Sequence, residues 1–228
     1  MPGHDIVVIG ARGGGVEPLA ELFSRLPAHI PASFFVVLHV PDRGISVLPD
    51  ILGRRGPLPA MHPADGARIE PGRVYVAPPG YHLLVKRGCV RLVRGPRENG
   101  ARPAVDPLFR TAVAAYGRRV VAVVLTGTLD DGTAGLQAVK TRGGTAVVQD
   151  PDEAMYGGMP RSAVERRESR ISACRSHPSF ICSVAFRVAS EDSPIWRVHS
   201  SSSSTFPLRE TRSASASSDP KRRARTSA

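Results

Sequence analysis

Residues 7–19 read V-V-I-G-A-R-G-G-G-V-E-P-L: an apolar run, a glycine-rich turn, and the opening of an amphipathic helix. Such a strand–turn–helix places residue 12 at a helix N-terminus, where unpaired backbone N–H groups and the helix dipole favour negative charge. An enzyme can use that spot for a nucleophile that develops an oxyanion. Here it holds Arg12, a guanidinium that stays protonated and cannot attack. The loop alone is weakly specific. It lacks the Gly-Lys-Ser/Thr ending of a phosphate loop. It fits a dinucleotide fingerprint poorly, because the next strand ends in His39 rather than an acidic residue. Gly10 and Gly13–Gly15 would serve a tight turn and close helix packing equally well.

Working outward, residues 5–9 read as a strand and 15–26 as a helix with Val16, Leu19, Leu22, Phe23 and Leu26 on one face. Residues 33–40 (S-F-F-V-V-L-H-V) form a continuously apolar strand, as a sheet covered on both faces requires. A helix over 45–54 and a short strand over 73–77 follow, then Pro78-Pro79-Gly80. Residues 82–85 and 89–93 flank Lys86-Arg87-Gly88 as a hairpin. A helix over 106–116 has Asp106 as its expected N-cap and Gly117 at its end. The β-branched strand 120–125 leads into T-G-T-L-D-D-G (126–132) and a helix over 133–141, which stops at Gly143-Gly144. Residues 145–149 are the expected final strand. This alternation predicts an α/β fold: a doubly wound, mainly parallel sheet with helices on both faces and a small antiparallel hairpin.

The 228 residues suffice for one well-buried domain with an appendage. The net charge of +11 suggests nucleic acid until its distribution is read. Residues 1–164 hold 19 Lys+Arg against 14 Asp+Glu, whereas 165–228 hold 12 against 6, so the tail carries more than half the excess. Serine occurs four times in 1–164 and seventeen times in 165–228. The expected organisation is a domain over 1–164 and a low-complexity, Ser/Arg-rich, disordered tail over 165–228. So abrupt a switch has the signature of a shifted reading frame in GC-rich DNA, which resequencing the coding region would test. The basic ending Lys221-Arg222-Arg223-Ala224-Arg225 keeps nucleic-acid or membrane-surface binding by the tail open as a weaker alternative. Cys89, Cys174 and Cys182 lack disulfide-framework or metal-ligand spacing. With no signal-peptide pattern and no apolar run long enough to span a bilayer, a cytoplasmic location is expected.

In an open α/β sheet, ligands bind beyond the carboxyl ends of the strands, at the topological switch point. Three strand ends carry candidates: Arg12 after the first, His39 after the second, and Asp131 after the strand over 120–125. A nucleophile, an imidazole and an orienting carboxylate on these three ends would make a Ser-His-Asp arrangement. His39 and Asp131 supply two of the parts. Each has a plainer reading: His39 as a strand-end core histidine, and Asp131, or Asp130 beside it, as a helix cap.

Together the motifs resemble the catalytic domain of the CheB-type chemotaxis protein-glutamate methylesterases. The matching stretches are I-G-A-R-G-G-G (9–15), where the family has I-G-A-S-x-G-G, and V-V-L-H-V-P (36–41). V-Y-V-A-P-P-G-Y-H (74–82), G-P-R-E-N-G (95–100) and R-P-A-V-D-P-L-F-R (102–110) follow in family order. L-T-G-T-L-D-D-G-T-A-G-L (125–136) and V-V-Q-D-P-D-E-A-M-Y-G-G-M-P (147–160) complete the set. The resemblance implies a Rossmann-like domain, in the stand-alone form without a receiver domain, that hydrolyses glutamate methyl esters on chemoreceptor helices. It implies His39 as the base, Asp131 as its orienting carboxylate, and backbone N–H groups near the glycine loop as an oxyanion hole. His82 and Met159 fall in family motifs and would line the site. No cofactor or metal is expected; the implied partners are the cytoplasmic helices of methyl-accepting chemoreceptors and a partner methyltransferase.

Arg12 stands where the family has its nucleophilic serine. None of Ser24, Ser33, Ser46 and Ser162 lies in a matching motif. Losing a triad nucleophile costs on the order of a million-fold in turnover, and a water activated by His39 would give only slight hydrolysis. The expectations are therefore an impaired methylesterase or, alternatively, a non-catalytic module in which Arg12 pairs with a receptor carboxylate.

Overall fold

β1 (Ile6–Ala11) is buried at all six residues and lies at the centre of the sheet. In a computed structural model of the chain, residues 4–41 and 44–165 and the backbone of 172–174 are described. After β1 come α1 (Val16–Ser24), β2 (Ser33–Leu38), α2 (Leu48–Arg55), β3 (Ala60–Met61) and β4 (Val74–Val76). The hairpin β5 (His82–Lys86) and β6 (Cys89–Val93) precedes α3 (Val105–Tyr116) and β7 (Val120–Val124). Then follow α4 (Thr133–Thr141), β8 (Thr145–Gln149), α5 (Gly158–Glu165) and β9 (Ser172–Cys174).

The seven-stranded sheet runs β3-β4-β2-β1-β7-β8-β9, with every pairing parallel. Alternation along β1 assigns its side chains to two cores. Val7, Ile9 and Ala11 pack with Leu19, Leu22 and Phe23 of α1 and Leu52 of α2. Ile6 and Val8 pack on the other face with Val105, Leu108 and Phe109 of α3 and Leu136 and Val139 of α4. The antiparallel pair β5–β6 adds Leu83, Val85 and Val90 to this second face. The chain leaves β1 toward β2 on one side and returns to β7 on the other, so the strand order reverses between β1 and β7. Residue 12 therefore sits at the switch point.

Several boundaries differ from the sequence reading for local reasons. β2 stops at Leu38, which frees His39 from the sheet. α2 starts at Leu48 rather than 45, with Pro49 in its first turn where a missing N–H does no harm. The two-residue β3 is too short to show a period, and β9 extends the sheet past 145–149, along β8. Asp106 does not cap α3: the N-cap position is Ala104, and no side chain of its own caps that turn. The side chains of the tail over 165–228, including its basic ending and Cys174 and Cys182, lie outside the described residues apart from Glu165.

Gly10 is required by close approach. A Cβ there would lie 2.3 Å from Val105 Cγ1, between the central strand and the first turn of α3. Gly10→Ala is expected to destabilise the chain by about 1–3 kcal/mol through overpacking, read as a lower urea midpoint at unchanged m-value.

Candidate active site

The hydrogen-bond ladder continues one step past the strands. Arg12 N–H donates to Thr126 O (3.0 Å), His39 N–H to Ala11 O (3.0 Å) and Leu125 N–H to Gly10 O (2.9 Å). These bonds fix Arg12, His39 and the 125–132 turn side by side at the carboxyl edge of β1, β2 and β7. The imidazole of His39, whose side chain is only 6 % exposed, reaches across to the fully buried Asp131, with Nε2 donating to Oδ2 at 2.6 Å.

Asp131 receives three further donors. Val105 N–H donates to Oδ2 (2.7 Å), and Asp106 N–H (3.1 Å) and Asn99 Nδ2 (2.7 Å) donate to Oδ1. Asp131 is thus a helix cap after all, but for α3 rather than for its own helix. The N-cap of α4 is Gly132, at φ +92°, with no side-chain bond from Asp130 or Asp131. A carboxylate here serves two ends at once: it satisfies orphan N–H groups of α3 and holds His39. Burial works to raise the Asp131 carboxyl, yet the bonds from His39, Val105 N–H and Asn99 outweigh it and hold the group below the ordinary 3.8.

Beside it, Asp106 is shifted the other way. Burial dominates and pushes its carboxyl up, a Gly135 N–H bond (2.6 Å) opposes this, and the Asp131 charge adds to the rise. Asn99 sits between the two carboxylates and donates to both, at 2.7 Å to Asp131 and 3.0 Å to Asp106. Its φ of +50° is one that Asn tolerates better than most side chains. Sequence reasoning missed Asn99 as a site residue; its only signal is the Asn-Gly pair inside 95–100. Asn99→Ala is expected to cost about 1–3 kcal/mol by removing a donor shared by two buried carboxylates, measured by urea denaturation.

An ionised carboxylate only accepts, so Nε2 of His39 carries the hydrogen and Nδ1 presents its lone pair. Nδ1 is buried and has no hydrogen-bond partner among the described residues. The same holds for Nη1 of Arg12. Where a serine at position 12 would complete the Ser-His-Asp arrangement, this chain places a guanidinium. The glycine turn is braced from the β8–α5 loop: Thr126 Oγ1 donates to Gly13 O (3.4 Å) and accepts from Tyr156 N–H (2.8 Å). Gly127 N–H donates to Tyr156 O (2.8 Å). Met159 packs under Gly127, whose Cβ would lie 2.2 Å from its Sδ. His82, buried, donates from Nε2 to Pro96 O (2.8 Å) and accepts from Ala104 N–H (3.3 Å), tying the 94–104 loop to the hairpin. Among the described residues, no group of His, Cys, Asp or Glu has a metal-binding arrangement.

A parallel α/β sheet with a buried His–Asp pair at its switch point defines a Rossmann-like domain with its candidate site at the carboxyl edge. The sequence model of the CheB methylesterase family matches residues 7–177, and the chain belongs to that family. A crystal structure of the Thermotoga maritima CheB methylesterase catalytic domain superposes with a TM-score of 0.73 at 32 % identity, covering 82 % of this chain and 98 % of that one. A protein-glutamate methylesterase/protein-glutamine glutaminase of Archaeoglobus fulgidus is 37 % identical over 163 residues, 70 % of this chain and 47 % of that protein. One from Anaeromyxobacter dehalogenans is 39 % identical over 161 residues, 71 % and 47 % respectively. The chain thus spans about half the length of these relatives. It covers more of a Leptospira interrogans relative, at 84 % of its length and 36 % identity.

Proposed function

We propose that the chain is a protein-glutamate methylesterase scaffold, built for γ-methyl esters of glutamate on chemoreceptor helices, whose turnover is cut by Arg12. The observation that carries this reading is the 2.6 Å bond between His39 and Asp131, with His39 set one ladder step from position 12. Asp131 holds the imidazole so that Nδ1 is the basic nitrogen, the role a general base requires. Exposed apolar side chains on the loops that frame this edge, Ile45, Val47, Leu129, Met155 and Tyr156, suit an amphipathic helix better than a small ester. The names of the relatives join methylesterase to glutaminase. Both reactions replace a leaving group on the same γ-carbonyl, and both lack a nucleophile here.

The same reading takes residues 1–164 as the catalytic domain, receptor helices and a partner methyltransferase as partners, and the cytoplasm as location. No described helix is long and apolar enough to cross a membrane. Restoring the nucleophile by Arg12→Ser and assaying methanol release from a methylated receptor peptide tests the proposal.

A further inference from the structure

We infer that the amino-terminal edge of the sheet carries a second binding site, for a small molecule bearing a diphosphate. It is independent of any esterase activity, because this edge lies opposite Arg12 and His39. The strands are parallel, and residues 117–119 and 142–144 lead into the starts of β7 and β8. Together with the β5–β6 turn they frame a cavity of about 820 Å³. Small-molecule sites have volumes of roughly 300–1,000 Å³.

Arg87, Arg119 and Arg142 line this cavity, and no acidic residue does. Local geometry gathers them there. Gly88 N–H donates to the Tyr116 hydroxyl (2.8 Å) and Arg87 Nε to Ala115 O (3.3 Å), which ties the hairpin turn to the last turn of α3. Gly143, at φ +77°, leaves room for the stem of Arg118, whose Cγ would lie 2.9 Å from a Cβ at that position. Arg118 therefore stands against the turn that carries Arg142.

The balance of charge decides what the cavity accepts. Asp5 neutralises Arg119, accepting from its Nε (2.7 Å) and its Nη2. Arg87, Arg118 and Arg142 make no ion pair among the described residues. The carboxyl ends of α3 and α4 lie here, and each offsets about half a positive charge. Roughly two positive charges are then left without a counter-charge. A carboxylate would supply one negative charge, whereas a diphosphate supplies at least about two, on oxygens that suit the guanidinium fork. Confinement to one concavity, rather than a stripe along a face, selects a small molecule over a nucleic acid. Val113, Ala114 and Tyr116 give the lining an apolar part, which a nucleoside could cover.

Calorimetric titration of the intact chain with pyrophosphate, ADP and orthophosphate, at physiological ionic strength, tests the site. Pyrophosphate is expected to bind at least about tenfold tighter than orthophosphate. Arg87→Gln combined with Arg142→Gln should weaken it at least about tenfold. Both side chains are exposed, so the variant should keep the native circular dichroism. Arg54→Gln with Arg55→Gln removes the same charge at the end of α2 and should leave the affinity unchanged. Amide 15N signals of Gly88 and Gly143 should shift on binding. Pyrophosphate binding as tightly as ADP would mean that the diphosphate alone is read; tighter ADP would add the nucleoside to the ligand. Binding no tighter than that of orthophosphate overturns the inference. So does an affinity that survives the Arg87 and Arg142 substitutions, which would place the anion elsewhere, as on the basic ending 221–225, and so does an equal loss in the Arg54 and Arg55 variant.

Discussion

Arg12→Ser is expected to raise hydrolysis of a glutamyl γ-methyl ester by at least about a thousandfold over the native chain. The substitution supplies the nucleophile that the proposed reaction calls for and leaves the backbone bonds of residue 12 in place. The backbone of residue 12 is fixed by its N–H bond to Thr126 O and by Gly15 N–H donating to its carbonyl, neither of which involves the side chain. A serine there would find His39 Nδ1 unoccupied and the imidazole already oriented by Asp131. Steady-state methanol release from a methylated receptor peptide measures the gain, and adding His39→Gln should return it to the native level. Activity in Arg12→Ser that His39→Gln leaves untouched would mean that the imidazole is not the base.

The second large effect is on stability. Asp131→Ala is expected to destabilise the chain by about 3–5 kcal/mol, because it strands two N–H groups at the buried start of α3 together with Asn99 and His39. Against a domain stability of roughly 5–15 kcal/mol, much of the folded population is at stake. Asp131→Asn keeps one acceptor oxygen and should lose less, about 1–3 kcal/mol. Urea denaturation followed by circular dichroism measures both. The pH dependence has a definite sign. The Asp131 carboxyl lies below its ordinary 3.8 in the folded chain, so its contribution is present above that pH and fades as the pH falls through the lower folded value. Asp131→Asn should therefore flatten the acid limb of the stability curve below 3.8. Asp106 acts in the opposite sense: its raised carboxyl burdens the folded state when ionised and is relieved by protonation.

Much of the fold is legible in the chain because its elements announce themselves locally. The fully buried strands β1, β2 and β7 read as unbroken apolar runs, and Gly88, at φ +77°, marks the hairpin turn. The two- and three-residue strands β3 and β9 carry no such signal, since nothing so short displays a period. The candidate site is legible as three strand ends, but its bonding is not. Asp131 caps a helix, as a lone aspartate at a turn suggests, but that helix lies about 26 residues earlier in the chain. Asp106 looks like the cap of its own helix and instead receives Gly135 N–H in the first turn of α4.

By itself, the sequence determined which residues stand at the carboxyl ends of the central strands, and that position 12 offers a guanidinium. Both follow from local periodicity and from the identity of one residue. Only the tertiary structure decided that His39 meets Asp131 across 92 residues of chain, that Asn99 bridges two carboxylates of opposite pKa shift, and that Arg12 keeps a buried N–H without a partner among the described residues. Those contacts depend on strand order and register, which bring distant turns to one edge. A single turn contains no information about which other turn it will face.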